Sequence, residues 1–191
     1  MFYIIVIIAA MLLTIGGNLL FSSEITAAYV LNCSLSVVTA TVAVIAVDGI
    51  SALAIRRLTP QKWYQPNRRF FRVSKKERNF YRSIKIKMWK DRVPELGLFT
   101  GFSKSRLEST DNEDYLARFL LESNYGVIIH LANALLGFLI AFIPFCSSPG
   151  IWIPVFAVNF ILSLMPVAVL RYTSHTLLAL YERSERKKKT V

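Results

Sequence analysis

Four long apolar runs punctuate the chain, at Phe2–Phe21, Tyr29–Ile55, Val127–Phe145 and Ile151–Leu170. Each is about as long as a helix must be to cross the roughly 30 Å hydrocarbon layer of a bilayer. The first run lacks the basic start and small-x-small cleavage site of a secretory signal, so it reads as retained. Gly16, Gly17 and Asn18 near its end would allow close helix approach. The third and fourth runs are joined by Cys146–Gly150, CSSPG, which is short enough only for a tight turn. The pattern predicts an all-α membrane protein with four transmembrane helices in two hairpins and a polar helical domain between them. Its expected parts are 1–55 (first two spans), 56–125 (interfacial segment), 126–170 (last two spans) and 171–191 (tail).

The polar segment has its own periodicity. Phe70, Val73, Phe80, Tyr81, Ile84 and Met88 recur at roughly helical spacing among Arg and Lys, which predicts a basic amphipathic helix lying in the headgroup layer. Thr110 followed by Glu113 is a capping-box pattern and predicts a helix from about Asp111 that runs into the third span. Along that helix Glu122, Gly126 and His130 are four apart and drift slowly around one face.

Charge settles the class and the orientation. Of 191 residues 54% are hydrophobic, yet the formal charge is +11, a combination rare in soluble domains. Seventeen of the 23 Lys and Arg fall between Arg56 and Arg118, and the other six from Arg171 onward. By the positive-inside rule both termini and the large loop are cytoplasmic. The expected partners are membrane lipids with anionic headgroups; a nucleic-acid role is set aside because anionic lipid explains the same charge. Some of the cations could instead bind a phosphate-bearing donor.

Candidate chemistry gathers at the cytoplasmic ends. The stretch Lys85–Gly97, KIKMWKDRVPELG, embeds Asp91 and Glu95 among Trp89, Lys90 and Arg92. A plain surface anchor needs the cations and the Trp but no acids. Within the spans, Asp48 and His130 are ionisable, and such groups usually face a bundle interior or a wet cavity. Asp48 is expected to be held by an Arg or Asn partner. For His130 a structural role and a catalytic one are both open.

The Lys85–Gly97 motif, followed by Phe99, Lys104 and ESNYGVIIH, resembles the glycosyl-4,4'-diaponeurosporenoate acyltransferases, small bacterial membrane proteins. The resemblance covers roughly residues 80–175. It matches Trp89, Lys90, Asp91, Pro94 and Glu95, then Glu122 and His130, then Arg171 and Tyr172. It implies an integral protein of the bacterial cell membrane that acylates a lipid-linked sugar, in the service of carotenoid biosynthesis.

Acyl transfer to a hydroxyl needs a base, a donor for the oxyanion and exclusion of water. His130 is the natural base, because imidazole titrates near neutral pH. Glu122 or Asp91 would orient it, with Glu95 as a further catalytic carboxylate. Lys90, Arg92 or Arg171 would stabilise the oxyanion or bind donor phosphate, with Trp89 and Tyr172 completing the substrate site. Cys33 and Cys146 both map to the external side, so neither is placed as a nucleophile, and transfer without an acyl-enzyme is expected. An oxidising compartment would permit a bridge between them, but two small buried residues is the plainer reading. No metal, P-loop or dinucleotide pattern appears. No bound cofactor is expected, and an acyl thioester such as acyl-coenzyme A is the candidate donor. The rival reading is a non-enzymatic scaffold or lipid-binding subunit; a methyltransferase or reductase would need a nucleotide pattern that the chain lacks.

Overall fold

The computed structural model describes residues 2–93, 109 and 112–189. Pro94, Glu95, Phe99, Lys104, Thr110 and Asp111 lie outside the described residues. Among the described residues five α-helices follow one another: α1 (Phe2–Leu20), α2 (Ala27–Leu58), α3 (Lys75–Ser83), α4 (Glu113–Leu136) and α5 (Pro149–Lys189). No strand occurs among the described residues. Four of the helical stretches are long and apolar enough to cross a membrane: Tyr3–Leu20, Ala27–Leu58, Glu113–Phe142 and Pro149–Lys188.

Two helices extend well past their apolar cores. α4 starts at Glu113, where the Asn112 side chain accepts from the Tyr115 N–H at 3.0 Å, a standard N-cap bond. It then continues unbroken into the third span. α5 begins with Pro149 at its first position, which suits a residue with no N–H to offer. It runs through Arg171 and the expected tail as one helix to Lys189.

The segment between α2 and α4 differs from the single amphipathic helix that its periodicity predicts. Among the described residues of this segment the α-helix is the nine-residue α3, flanked by 3-10 turns at Gln61–Tyr64, Arg69–Phe71, Ile86–Met88 and Lys90–Arg92. Ser74 starts α3 by accepting from the Glu77 N–H at 3.1 Å. Lys85, left-handed at φ 51°, ends it, a conformation that breaks a helix and is uncommon outside glycine. The interruptions turn Phe71, Tyr81 and Ile86 inward, while Phe70, Phe80 and Met88 stay outside.

The chain divides into two compact units. The first comprises residues 1–54 and 131–164. Its core sets Val37, Ala40 and Val44 of α2 against Ile140, Cys146, Ile151 and Val155. Tyr3 donates to the Leu162 carbonyl at 3.1 Å, and Asn18 to that of Gly150 at 2.8 Å, so α1 lies along α5. Open space surrounds Gly16 and Gly17; the close approach made near this end of α1 is Asn18 against Gly150. Cys33 and Cys146 are buried free thiols, so they form no bridge. The second unit comprises residues 55–130 and 165–191. In it Leu116, Phe119 and Leu120 of α4 pack on Leu177 of α5.

Candidate active site

The second unit contains two clusters that join a charge pair to aromatic rings. In the first, Arg56 ends α2 and gives an Nη2 hydrogen bond to Glu122 Oε2 at 2.8 Å. The same guanidinium lies over the Tyr125 ring, 5.2 Å from its centroid. Tyr125 in turn stacks on Tyr64 with centroids 3.8 Å apart. Tyr64 is fixed at both ends, its carbonyl accepting from Asn124 Nδ2 at 2.8 Å and its hydroxyl meeting Thr59 Oγ1 at 2.7 Å. A guanidinium carries five N–H donors in a fixed fork. Glu122 takes one, so the remainder of the Arg56 fork can still bind an oxyanion or a phosphate.

The second cluster locks α3 to α5. Arg171 grips the Glu77 carboxylate through Nε and Nη2, the latter at 2.9 Å, and gives Nη1 to the Phe70 carbonyl at 3.1 Å. Tyr81 adds an O–H bond to Glu77 at 2.6 Å and meets Tyr172 edge-on. The Arg171 hydrogen bonds hold the Glu77 carboxyl below the usual carboxylate range, helped by Tyr81 and by the Ser74 N–H. Burial, then the Glu77 charge, push the Tyr81 hydroxyl above its ordinary value, so it remains a donor at neutral pH. One turn beyond Arg171, His175 Nε2 lies 3.3 Å from Arg78 Nη1. A guanidinium can only donate, so that imidazole nitrogen is the acceptor.

The residues expected to form the site are distributed as follows. Arg171 and Tyr172 come together with α3, but Arg171 spends its fork on Glu77 and Phe70, which makes it an anchor in this structure. Trp89 is half-buried and gives its indole N–H to the Ile84 carbonyl at 3.1 Å. Lys90 pairs with its neighbour Asp91 at 2.9 Å, with the Asp91 side chain 82% exposed, and Arg92 is exposed as well. Glu95 lies outside the described residues. Glu122 and the half-buried His130 both sit on the continuous α4. Eight residues of α-helix separate them by about 12 Å along the axis, too far for the carboxylate to orient the imidazole directly. Glu122 instead holds Arg56.

Glu77, Tyr64, Tyr125 and the Arg78–His175 pair were not evident from sequence reasoning. One signal for Glu77 was present: Ser74-Lys-Lys-Glu77 is itself a capping-box pattern. Among the described residues no group of three or more His, Cys, Asp or Glu could hold a metal ion.

Residues 60–183 match the family described as glycosyl-4,4'-diaponeurosporenoate acyltransferase. The match covers well over half of the 191 residues. The chain belongs to this acyltransferase family. Membership supports, at a coarse level, an acyltransferase role in carotenoid glycolipid modification. No curated protein and no solved structure matches the chain. Both clusters fall within the acyltransferase match except for Arg56 and Thr59, which immediately precede it.

Proposed function

We propose that the protein transfers a fatty acyl group from an acyl thioester to a hydroxyl of a lipid-linked sugar, at the cytoplasmic face of the membrane. The observation that carries this reading is the family match over residues 60–183, which contains His130, Glu122, Arg171 and the Trp89–Asp91 motif. In the proposed reaction the His130 imidazole takes the proton of the sugar hydroxyl as its oxygen attacks the thioester carbonyl. The C–O bond forms as the carbonyl π pair moves onto oxygen, a charge that a nearby donor must meet; the open part of the Arg56 fork, held by Glu122 about 12 Å along α4 from His130, is assigned to donor phosphate. Collapse breaks the C–S bond, and the imidazolium returns its proton to the leaving thiolate. The buried cysteines favour this direct route over an acyl-enzyme.

Arg171 then positions α3 rather than touching the reacting atoms, and Glu122 keeps Arg56 in place. The Trp89–Glu95 motif is assigned to substrate capture, with the exposed Arg92, and Lys90 once released from Asp91, available to donor phosphate. The glycosyl carotenoid acceptor is the one that the family description names; any sugar carried on a membrane lipid would meet the same requirements.

Mass spectrometry of lipids from cells with and without the protein tests the reading. It predicts a glycolipid heavier by one fatty acyl group, present with the native chain and lost with His130→Ala. An unchanged lipid profile would favour a scaffold.

A further inference from the structure

Arg78 and Arg171 both belong to the contact between α3 and α5, but they are held in opposite ways. Arg171 spends its Nε and Nη2 edge on the Glu77 carboxylate, which cancels its charge. Arg78 is held by its other corner, where Nη1 donates to His175 Nε2 at 3.3 Å. Its Nε–H is buried with no acceptor, and its side chain has no further partner among the described residues. An imidazole acceptor orients a guanidinium without neutralising it. The carboxylates of α3 and of α5 between Arg171 and Glu182 are already engaged, Glu77 by Arg171 and Tyr81 and Glu182 by Arg72 at 3.5 Å. A half-buried cation without a counter-anion is costly, and so is a buried N–H without an acceptor. The open edge of Arg78 is the one that grips two oxygens at once, as Arg171 does with Glu77.

Depth narrows the source of such oxygens. His175 follows Leu170, the end of the fourth apolar run, by five residues, about 7.5 Å of helix. Headgroups occupy about 5–7 Å on each side of the hydrocarbon layer. The pair therefore sits near the level of lipid phosphates. Phe80, two residues from Arg78, is 58% exposed, as suits an apolar side chain at that boundary. Lys75 and Arg82 share the Arg78 face of α3, three before it and four after, and both are exposed. They give the open edge a cationic rim.

We propose that Arg78 binds one phosphate group, Nε and Nη2 donating to two of its oxygens while His175 positions the guanidinium. The phosphodiester of an anionic phospholipid supplies this chemistry, and so do the phosphates of a coenzyme thioester. Such a site stands whether or not the protein transfers acyl groups.

The test uses the full chain in maltoside micelles, with isotopically labelled arginine. The Arg78 Nε–H resonance, identified by its loss in Arg78→Lys, is followed as short-chain phosphatidylglycerol, coenzyme A or a phosphate-free diacylglycerol is added. It should shift saturably with a phosphate compound and stay in place with diacylglycerol. Saturation by phosphatidylglycerol assigns the lipid headgroup as the source, and saturation by coenzyme A assigns the donor. A resonance unmoved by both phosphate compounds, or moved equally by diacylglycerol, overturns the site. A second arm measures the affinities for phosphatidylglycerol and coenzyme A by calorimetry. Arg78→Gln and His175→Ala should each weaken binding at least about tenfold, as expected for a lost hydrogen bond to a charged group. His175→Gln keeps an acceptor and should lose less than His175→Ala. Lys76→Gln, which removes an exposed cation from the same helix, should change affinity by less than about twofold. Unchanged affinity in Arg78→Gln, or an equal loss in Lys76→Gln, would mean diffuse attraction to a basic surface and also overturn the site.

Discussion

Arg171 and Glu77, 94 positions apart in sequence, face each other through two guanidinium–carboxylate hydrogen bonds. The pair fastens a nine-residue helix, too short to persist alone in water, to the long α5. Bidentate geometry makes Arg specific here, because Lys offers only a point charge.

Replacing Glu77 with Gln should destabilise the second unit by about 1.5–3 kcal/mol, the usual range for a hydrogen bond to a charged group. Arg171→Lys should lose a large part of the same amount. Thermal unfolding in mild detergent measures both. The pH dependence has a definite sign. The folded carboxyl titrates below the ordinary value of 4.5, so its contribution is complete above that value and disappears as pH falls from there through the lowered one. Native and Glu77→Gln proteins should therefore converge in stability under acid and differ by a constant amount around neutrality. A difference that grew as pH fell would contradict the assignment.

Much of the fold was legible in the sequence because a bilayer imposes one-dimensional rules: spans must be long, apolar and helical. Those rules located all four spans to within a few residues at their apolar ends. They failed at the interface. The spacing from Phe70 to Met88 suits a helix, but Ser74 caps and Lys85 in its left-handed conformation break the segment into short turns. Periodicity does not register such local events. Site residues were harder still. Glu77 was one acid among many cations, and its partner could be identified only once α5 was seen to continue past the membrane run. Glu122 and His130 shared a helix as expected, but the rise of that helix keeps them about 12 Å apart.

Gly137→Ala should disturb the Asn159 contact, because the added methyl would lie 2.5 Å from its amide nitrogen. Overpacking of this kind costs about 1–3 kcal/mol. Asn159→Ala removes the amide and should cost less, about 0.6–1.7 kcal/mol on the scale of intramembrane hydrogen bonds. In Asn159→Ala the Gly137→Ala change should become nearly silent. Equal penalties in both backgrounds would show that the clash lies elsewhere.

The Arg56–Glu122 pair allows a double-mutant cycle. In the proposed mechanism Glu122 holds a guanidinium that binds the donor, so Glu122→Gln should lower kcat chiefly through Arg56. With Arg56→Ala already present, adding Glu122→Gln should change kcat little further. Fully multiplicative losses would assign the two residues independent roles.

Orientation can be read from accessibility. In a background with Cys33 and Cys146 replaced by Ser, Ser148→Cys should react with an impermeant maleimide on intact cells, and Ser103→Cys only after permeabilisation. Labelling of position 103 from outside would reverse the topology inferred from charge.

Acyl transfer by the residues within the family match can be followed in a reconstituted system. Purified protein in phospholipid vesicles is given an acyl thioester and a lipid-linked sugar, and ester formation is followed together with thiol release. The native chain should form ester and thiol in equal amounts. Folded His130→Ala should be slower by about 10²–10⁴-fold, the usual value of a general base. Ester formation by His130→Ala at the native rate, or none by the well-folded native protein with any glycolipid acceptor, would contradict the account.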